Sequence, residues 1–145
     1  MRQSEIQKPL PEIVDMTSPF WEGAEKKILR MQKCKNCATY NFFPKPWCIS
    51  CGQRKLEWVD TSGRGTVYAF SVATSVMMNL PGWQDDLPVT LCLIDLFEGG
   101  RMYAVLRGCT PEDVEIGMQV QVDFSNIKDG ISIPFFMPAS AQPAA

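Results

Sequence analysis

Two Cys-x-x-Cys pairs carry the most specific chemistry in this 145-residue sequence. Cys34 and Cys37 are followed, after ten intervening residues, by Cys48 and Cys51. Pairs at this spacing can place four sulfurs at the corners of a tetrahedron around one ion, and Zn²⁺ suits that geometry. Iron of the rubredoxin type uses the same ligands, but the ten-residue loop favours the shorter zinc ribbon. Because four protein ligands leave no position for water or substrate, we expect one structural zinc ion per chain.

Histidine is absent from the sequence. This absence excludes Ser-His-Asp triads, Cys-His dyads and imidazole acid–base chemistry within the chain. An enzyme made from this chain alone would depend on carboxylates, lysine, tyrosine or free thiols. Two cysteines lie outside the ribbon motif. Cys92 is predicted to be a core residue of an apolar strand, and Cys109 a structural residue at a strand end.

Basic residues are concentrated around the cysteine pairs. Residues 26–55 contain eight Lys or Arg side chains and no acidic residue, although the net charge of the whole chain is −2. Four thiolates bound to Zn²⁺ leave this segment with a charge of roughly +6. The segment therefore favours an anionic partner, whereas the acidic remainder of the chain repels polyanions.

The elements around the motif predict a mainly β protein with one short helix. Ser18 is expected to be the N-cap of that helix, with Pro19 at its first position and its end near Lys26. A strand within residues 27–33 is expected to enter the zinc ribbon. After the ribbon, five strands with a short helical link between the third and the fourth predict a Greek-key barrel of the OB-fold type. The expected units are an N-terminal extension with the helix (1–26), the zinc ribbon (27–55), the OB-fold (56–137) and a mobile tail (138–145).

Two apolar stretches are candidate binding surfaces. Between the cysteine pairs, four aromatic residues are expected to pack around the metal site: Tyr40, Phe42, Phe43 and Trp47. Lys45, held between two prolines, is expected to present a cation to a phosphate or a carboxylate. In the segment 74–87, the side chains of Met77, Met78 and Trp83 are more apolar than a free loop requires. That segment either folds back to cap the barrel or contacts a partner.

Three further motifs accompany the cysteine ribbon: Pro19-Phe20-Trp21, residues 62–68 (SGRGTVY) and residues 108–118 (GCTPEDVEIGM). This combination resembles the family of zinc-ribbon (rubredoxin-like)/OB-fold proteins associated with acyl-CoA enzymes, over roughly residues 17–137. The resemblance implies a small accessory subunit, without catalytic residues of its own, that completes or stabilises the active site of a thiolase-like acyltransferase, as in benzoylsuccinyl-CoA thiolase. The catalytic cysteine and histidines would then belong to the partner subunit.

The basic ribbon and the apolar segment 74–87 together form a candidate interface with coenzyme A, whose phosphates are anionic, or with the partner. Its cations are Lys35, Lys45, Arg54 and Lys55, and its apolar members are Met77, Met78 and Trp83. A solvated basic face is the alternative for the cations.

Two other functions remain open. A free-standing acyl-CoA-binding or scaffold protein would carry the same motifs. A single-stranded nucleic-acid-binding protein is disfavoured, because residues 56–145 carry a net charge of −7 and would repel a phosphate backbone.

We expect a cytoplasmic protein without a membrane partner. No apolar run approaches the roughly 20 residues of a membrane span, and residues 1–15 lack the apolar core of a secretory signal.

Overall fold

The computed structural model of the chain describes residues 8–75 and 82–141. The first part contains the helix α1 and three strands: α1 Ser18–Glu25, β1 Arg30–Cys34, β2 Tyr40–Asn41 and β3 Leu56–Asp60. The second part contains five strands: β4 Arg64–Ala73, β5 Val89–Leu96, β6 Arg101–Leu106, β7 Gln119–Lys128 and β8 Ile131–Pro138. Three short 3₁₀ turns complete the structure: Gln84–Asp86, Pro111–Asp113 and Ala139–Ala141. The last of these turns lies within the expected mobile tail, and residues 142–145 lie outside the described part.

Helix α1 begins one residue earlier than the sequence predicts. Thr17 occupies the N-cap position, and the expected N-cap Ser18 is the first helical residue. The Ser18 hydroxyl donates a hydrogen bond to Glu22 Oε1 at 3.0 Å, one turn later. Pro19 lies in the first turn, where its missing N–H costs nothing. The buried Phe20 ring faces the ribbon, with its centroid 6.5 Å from that of Phe42.

The ribbon sheet has the strand order β2-β1-β3 and extends beyond residue 55. Strand β3, which was expected to belong to the OB-fold unit (56–137), pairs antiparallel with the whole of β1. It brings carboxylates to the basic segment. Asp60 Oδ1 lies 2.6 Å from Arg30 Nε, and Glu57 Oε2 lies 3.9 Å from Lys35 Nζ. The fold therefore neutralises part of the positive charge that the sequence concentrates in the ribbon.

The predicted OB-fold barrel is confirmed. Strands β4 to β8 form a closed barrel in the order β4-β5-β6-β8-β7, and β7 closes it by pairing with β4. The chain enters the barrel at Gly63, which has a φ of +70°. A Cβ atom there would lie 2.2 Å from Val122 Cγ1, so only glycine allows this approach.

The ribbon and the barrel share one core. Phe20 of α1, together with Leu29 and Met31 at the start of the ribbon, belongs to the same buried cluster as the inward-facing barrel residues. That cluster includes Ile94 and Phe136, neither of which is exposed to solvent. The position of the ribbon on the barrel is therefore set by apolar packing. Within the described residues, no helix is both long and apolar enough to span a bilayer.

Candidate functional site

The four ribbon sulfurs form a cluster suited to one metal ion. All four Sγ atoms lie within 4.8 Å of one another. The pairs Cys34–Cys51 and Cys37–Cys48 each have sulfur atoms 3.6 Å apart. Sulfurs at about 2.3 Å from a tetrahedral zinc ion lie about 3.8 Å from one another, so the cluster fits Zn²⁺. The chain has a rubredoxin-like ribbon with one structural zinc site, and the predicted cofactor is confirmed.

The two cysteine pairs form equivalent turns. The Ala38 amide donates to the Cys34 carbonyl and the Gly52 amide to the Cys48 carbonyl, both at 2.9 Å. Ala38 and Gly52 also share a left-handed backbone, with φ of 62° and 73° respectively. Glycine suits this conformation, and alanine adopts it with strain. The second turn therefore has the better residue for the same geometry.

Polar groups around Cys37 and Cys48 stabilise the thiolate forms of these two residues. The Thr39 hydroxyl oxygen lies 3.2 Å from Cys37 Sγ, and this side chain lowers the pKa of Cys37 to about 6. The backbone amide of Cys51 lowers the pKa of Cys48. The buried Asn41 amide lies 3.7 Å from Cys48 Sγ through Nδ2, and its Oδ1 accepts a hydrogen bond from the Ile49 amide at 2.9 Å. Such contacts orient metal ligands and favour the deprotonated form that binds zinc.

The structure brings some of the candidate cations together. The Lys35 amide donates to the Lys55 carbonyl at 2.7 Å, so both residues and the adjacent Arg54 lie where β1 and β3 meet the metal turns. Lys45 is held elsewhere on the ribbon loop. Its amide donates to Gln32 Oε1 at 2.7 Å, and Gln32 Nε2 donates to the Lys45 carbonyl at 3.0 Å. Gln32 is buried and fixes the loop to β1.

The aromatic residues between the cysteine pairs do not all pack inward. Phe42 lies against α1, but Phe43 is 57% exposed and Trp47 is 49% exposed, which corrects the expectation of a closed aromatic core. The Phe43 ring stacks on Phe42, with centroids 4.4 Å apart, and lies 6.2 Å from the ring of Tyr103 on β6. The loop thus carries an aromatic surface from the ribbon to the outside of the barrel.

Two apolar cavities lie on either side of the line where β6 meets β8. The helix-side cavity, of about 440 Å³, lies between α1, the ribbon loop and the barrel, and includes Phe20, Phe43 and Tyr103 in its wall. The loop-side cavity, of about 560 Å³, includes Trp83 and Arg107. Trp83 is 39% exposed, and Lys8 Nζ lies 5.1 Å from the centre of its ring. Met77 and Met78, also predicted at this surface, lie outside the described residues.

The two remaining thiols are not activated. Cys92 is buried within β5, as predicted, and burial raises its pKa to about 11. Cys109 is half-buried, and burial, followed by the charge of Asp113, raises its pKa as well. A cysteine nucleophile requires the opposite shift, so neither thiol has the environment of a catalytic residue.

Several residues of the site were not predicted from the sequence. Thr39, Asn41 and Gln32 support the metal turns and the ribbon loop, and only their position near the cysteine motif points to them. The cavity walls come from α1, the ribbon loop, β6 and β8 together, so no local sequence signal predicts them.

The chain matches two sequence profiles that divide it between the ribbon and the barrel. Residues 21–57 match the profile described as "ChsH2, rubredoxin-like zinc ribbon domain", and residues 58–125 match "ChsH2, C-terminal OB-fold domain". The two matches meet within β3.

Three individual proteins show how far the similarity extends. A "DUF35 domain-containing scaffold protein" of Methanocaldococcus jannaschii is 37% identical over 72% of this chain and 73% of the relative. The "Probable enoyl-CoA hydratase alpha subunit" of Thermomonospora curvata is 33% identical over 93% of this chain, which spans only 41% of that relative. Among solved structures, a chain of the "Ltp2-ChsH2(DUF35) aldolase" superposes with a TM-score of 0.73 and 31% identity, covering 89% of this chain and 98% of that chain.

Proposed function

Because the chain belongs to the DUF35 family, whose members pair a rubredoxin-like zinc ribbon with an OB-fold, we propose that it is a non-catalytic accessory subunit of a thiolase-like acyl-CoA enzyme. The observation that carries this proposal is the state of its six cysteines. Four form a metal site with no open coordination position, and the other two have raised pKa values. With no histidine in the sequence, the chain lacks the thiolate and the base that carbon–carbon bond formation or cleavage on a thioester requires.

The names of the relatives support an accessory role in a multi-subunit assembly, and one of them names an acyl-CoA enzyme. One is a scaffold protein, one is a subunit of a hydratase, and one belongs to an aldolase assembly. All are consistent with a chain that contributes structure to an assembly whose reactive groups lie in another subunit. The thiolase-like identity of that partner is the finer part of the proposal.

Co-expression with a thiolase-like subunit tests this proposal. The expected result is a stable complex that cleaves acetoacetyl-CoA in the presence of coenzyme A. Replacing Trp83 with Ala should weaken co-purification while zinc content stays unchanged. Ile116→Ala, at a side chain that is 71% exposed and absent from both cavity walls, is the matched control. Failure to form a complex, or full retention of the Trp83→Ala chain, would reject this role.

Contact with coenzyme A is a second part of the proposal. Lys45 is fixed beside an exposed aromatic ring, with Nζ 3.0 Å from the Phe43 carbonyl oxygen and 6.0 Å from the Phe43 ring centre. A cation held in this way can pair with a phosphate at little entropic cost. Lys45→Ala should weaken coenzyme A binding to the complex in calorimetric titration, while Lys33→Ala should not. Equal affinities for the two variants would show that the ribbon contacts protein only.

The Thermomonospora curvata relative favours one further candidate, a role in an enoyl-CoA hydratase assembly. The two candidate functions are distinguished by the substrate that the complex consumes. A thiolase-type complex consumes acetoacetyl-CoA together with coenzyme A, whereas a hydratase complex adds water to crotonyl-CoA.

A further inference from the structure

The outward-facing side of strands β4, β5 and β6 is apolar. On β5, Thr90, Cys92 and Ile94 are buried, so the alternate residues Leu91 and Leu93 face outward. Paired residues of neighbouring antiparallel strands point to the same side of the sheet. The register therefore places six residues on this side, in two rows that we call the outer face: Ala69, Leu93 and Tyr103 in one row, and Ser71, Leu91 and Val105 in the other.

The outer face is exposed although it is apolar. Tyr103 is 63% exposed and Leu91 is 48% exposed. The hydroxyl of Ser71 and the phenol of Tyr103 are the only polar side-chain groups among its six residues. The solvated side of an antiparallel sheet normally carries polar residues in alternation with the buried ones. An exposed apolar surface that departs from this pattern indicates a site of interaction.

An aromatic stack continues the outer face onto the ribbon loop. The rings of Tyr103 and Phe43 are nearly parallel, with an interplanar angle of 13° between them. Both rings are more than half exposed. Large aromatic side chains are enriched in protein interfaces because they supply much contact area and have few rotatable bonds. The barrel and the ribbon loop therefore present one apolar surface of the kind that binds protein.

The two ends of the outer face differ in charge. At one end, Arg101 binds both carboxylate oxygens of Asp95, at 2.6 and 3.1 Å. At the other end, Arg107 follows β6 and lies beside Leu91 in the wall of the loop-side cavity. Its guanidinium carbon lies 4.6 Å from the Phe135 ring centre, and it forms no salt bridge within residues 8–75 and 82–141. Stacking on a ring leaves the guanidinium edge free for two hydrogen bonds to a carboxylate.

Charge favours a different protein over a second copy of this chain as the occupant of the outer face. Asp95 is the only acidic residue of β4, β5 and β6, and Arg101 already binds it. The carboxylate of Asp86, in the wall of the loop-side cavity, is bound by Lys8. Two outer faces in contact would therefore offer Arg107 no free carboxylate from their own strands. A partner with a carboxylate at the edge of an apolar surface would match both the face and the guanidinium.

We propose that the outer face binds the catalytic partner, through an apolar surface of that partner with a carboxylate opposite Arg107. This inference rests on the proposed function, since it names the surface by which the accessory subunit holds the enzyme. Tyr103 and Leu91 form the centre of the contact, and Phe43 extends it to the ribbon loop. Burial of the apolar side chains supplies the affinity, and the pairing of Arg107 fixes the orientation.

Hydroxyl-radical footprinting tests the location of the contact directly. In the complex with the thiolase-like subunit, Tyr103 and Leu91 should be oxidised at least about threefold more slowly than in the isolated zinc-loaded chain, because the centre of an interface excludes water. The exposed Ile116 should react at the same rate in both samples. A complex that forms without protection of Tyr103 and Leu91 overturns this inference and leaves the accessory role standing, whereas the absence of a complex overturns both. Protection in the isolated chain that increases with its concentration would assign the outer face to a second copy and reject the partner.

Two substitutions test the named contacts. Tyr103→Ala should weaken the complex about tenfold or more, since a large aromatic side chain at the centre of an interface contributes much of the affinity. Ile116→Ala, at an exposed side chain outside β4, β5 and β6, is its control. Arg107→Glu should also weaken the complex about tenfold or more, because it replaces a charge-assisted contact with repulsion.

The matched control for Arg107→Glu is Arg64→Glu. Arg64 stacks on the exposed Phe97 ring in the same way, at 5.1 Å, but lies at the far end of the sheet, beyond Asp95. All four substituted side chains are exposed, so the variants should fold, and zinc content with thermal unfolding checks this. An effect of Tyr103→Ala or Arg107→Glu that is no larger than that of its control would overturn the inference.

Discussion

The ribbon and the barrel are held together in different ways. The ribbon sheet includes a strand of only two residues and carries a cluster of four sulfurs that fits one metal ion, whereas the barrel has five strands of six to ten residues around a continuous apolar core. The buried side chains of the barrel account for most of that core. The ribbon contributes few core residues, and its turns are held by backbone hydrogen bonds and the metal ligands. The two regions therefore divide their tasks. The barrel supplies a stable body, and the metal supplies the order that lets the small basic ribbon keep its structure.

Loss of a metal ligand should have the largest effect. Cys48→Ser removes a buried sulfur and leaves three ligands, so the zinc content should fall to nearly none. The ribbon should lose its structure, at a cost of more than about 4 kcal/mol in the free energy of unfolding. Atomic absorption and calorimetry measure both quantities. Cys92→Ala is the control, because this buried thiol lies in the barrel and its loss should leave zinc bound. Full zinc retention by Cys48→Ser would show that the sulfurs do not act as one site.

A core substitution in the barrel should have the opposite result: it should destabilise the barrel and leave zinc bound. Phe136 is fully buried in β8, so Phe136→Ala removes a large side chain from the shared core and should lower the free energy of unfolding by about 4 kcal/mol. The zinc content should remain at one ion per chain. Denaturant unfolding, followed together with zinc release, shows whether barrel stability and zinc binding are independent. They are independent if the variant loses zinc at the same denaturant concentration as wild type while its barrel unfolds at a lower one. Loss of zinc from the folded variant would contradict this independence.

The contacts behind the sulfurs should have an intermediate effect. Asn41→Ala removes the amide beside Cys48 Sγ and the acceptor of the Ile49 amide. It should lower the free energy of unfolding by about 1–3 kcal/mol and weaken zinc binding about tenfold or more. Competition with a chromogenic chelator measures the affinity. Asn126→Ala, at an exposed barrel residue with weaker contacts, at 3.3 and 3.4 Å, provides the comparison. Equal chelator competition in both variants would remove Asn41 from the metal site.

The equivalent metal turns allow the finest comparison. Ala38→Gly should stabilise the first turn by about 1 kcal/mol because it relieves the left-handed backbone. Gly52→Ala should destabilise the second turn by a similar amount. A Cβ at Gly52 would meet nothing within 4 Å, so only the backbone conformation is changed. Thermal unfolding of the two variants measures the opposite shifts. Shifts of the same sign would show that the turns are not energetically equivalent.

The parts of the structure that local sequence determines were predictable. The spacing of the four cysteines predicts the metal site, and the apolar segments and turns between Thr66 and Phe136 predict the five barrel strands. The role of β3 was not predictable in this way, because its pairing with β1 brings together residues about 20 to 30 positions apart. The N-cap was placed one residue late because Thr17 and Ser18 are both good capping residues. The exposure of Phe43 and Trp47 depends on how the ribbon sits on the barrel, which the loop sequence does not encode.

The most direct test of the central claim, that the reactive groups lie in another subunit, is thioester turnover by the purified, zinc-loaded chain alone. With acetoacetyl-CoA and coenzyme A as substrates, the expected rate is that of the buffer without protein, and activity should arise only when the catalytic subunit is added. Turnover by the isolated chain that is lost in Cys109→Ala would contradict the account, because it would place a working nucleophile in a chain whose free thiols have raised pKa values.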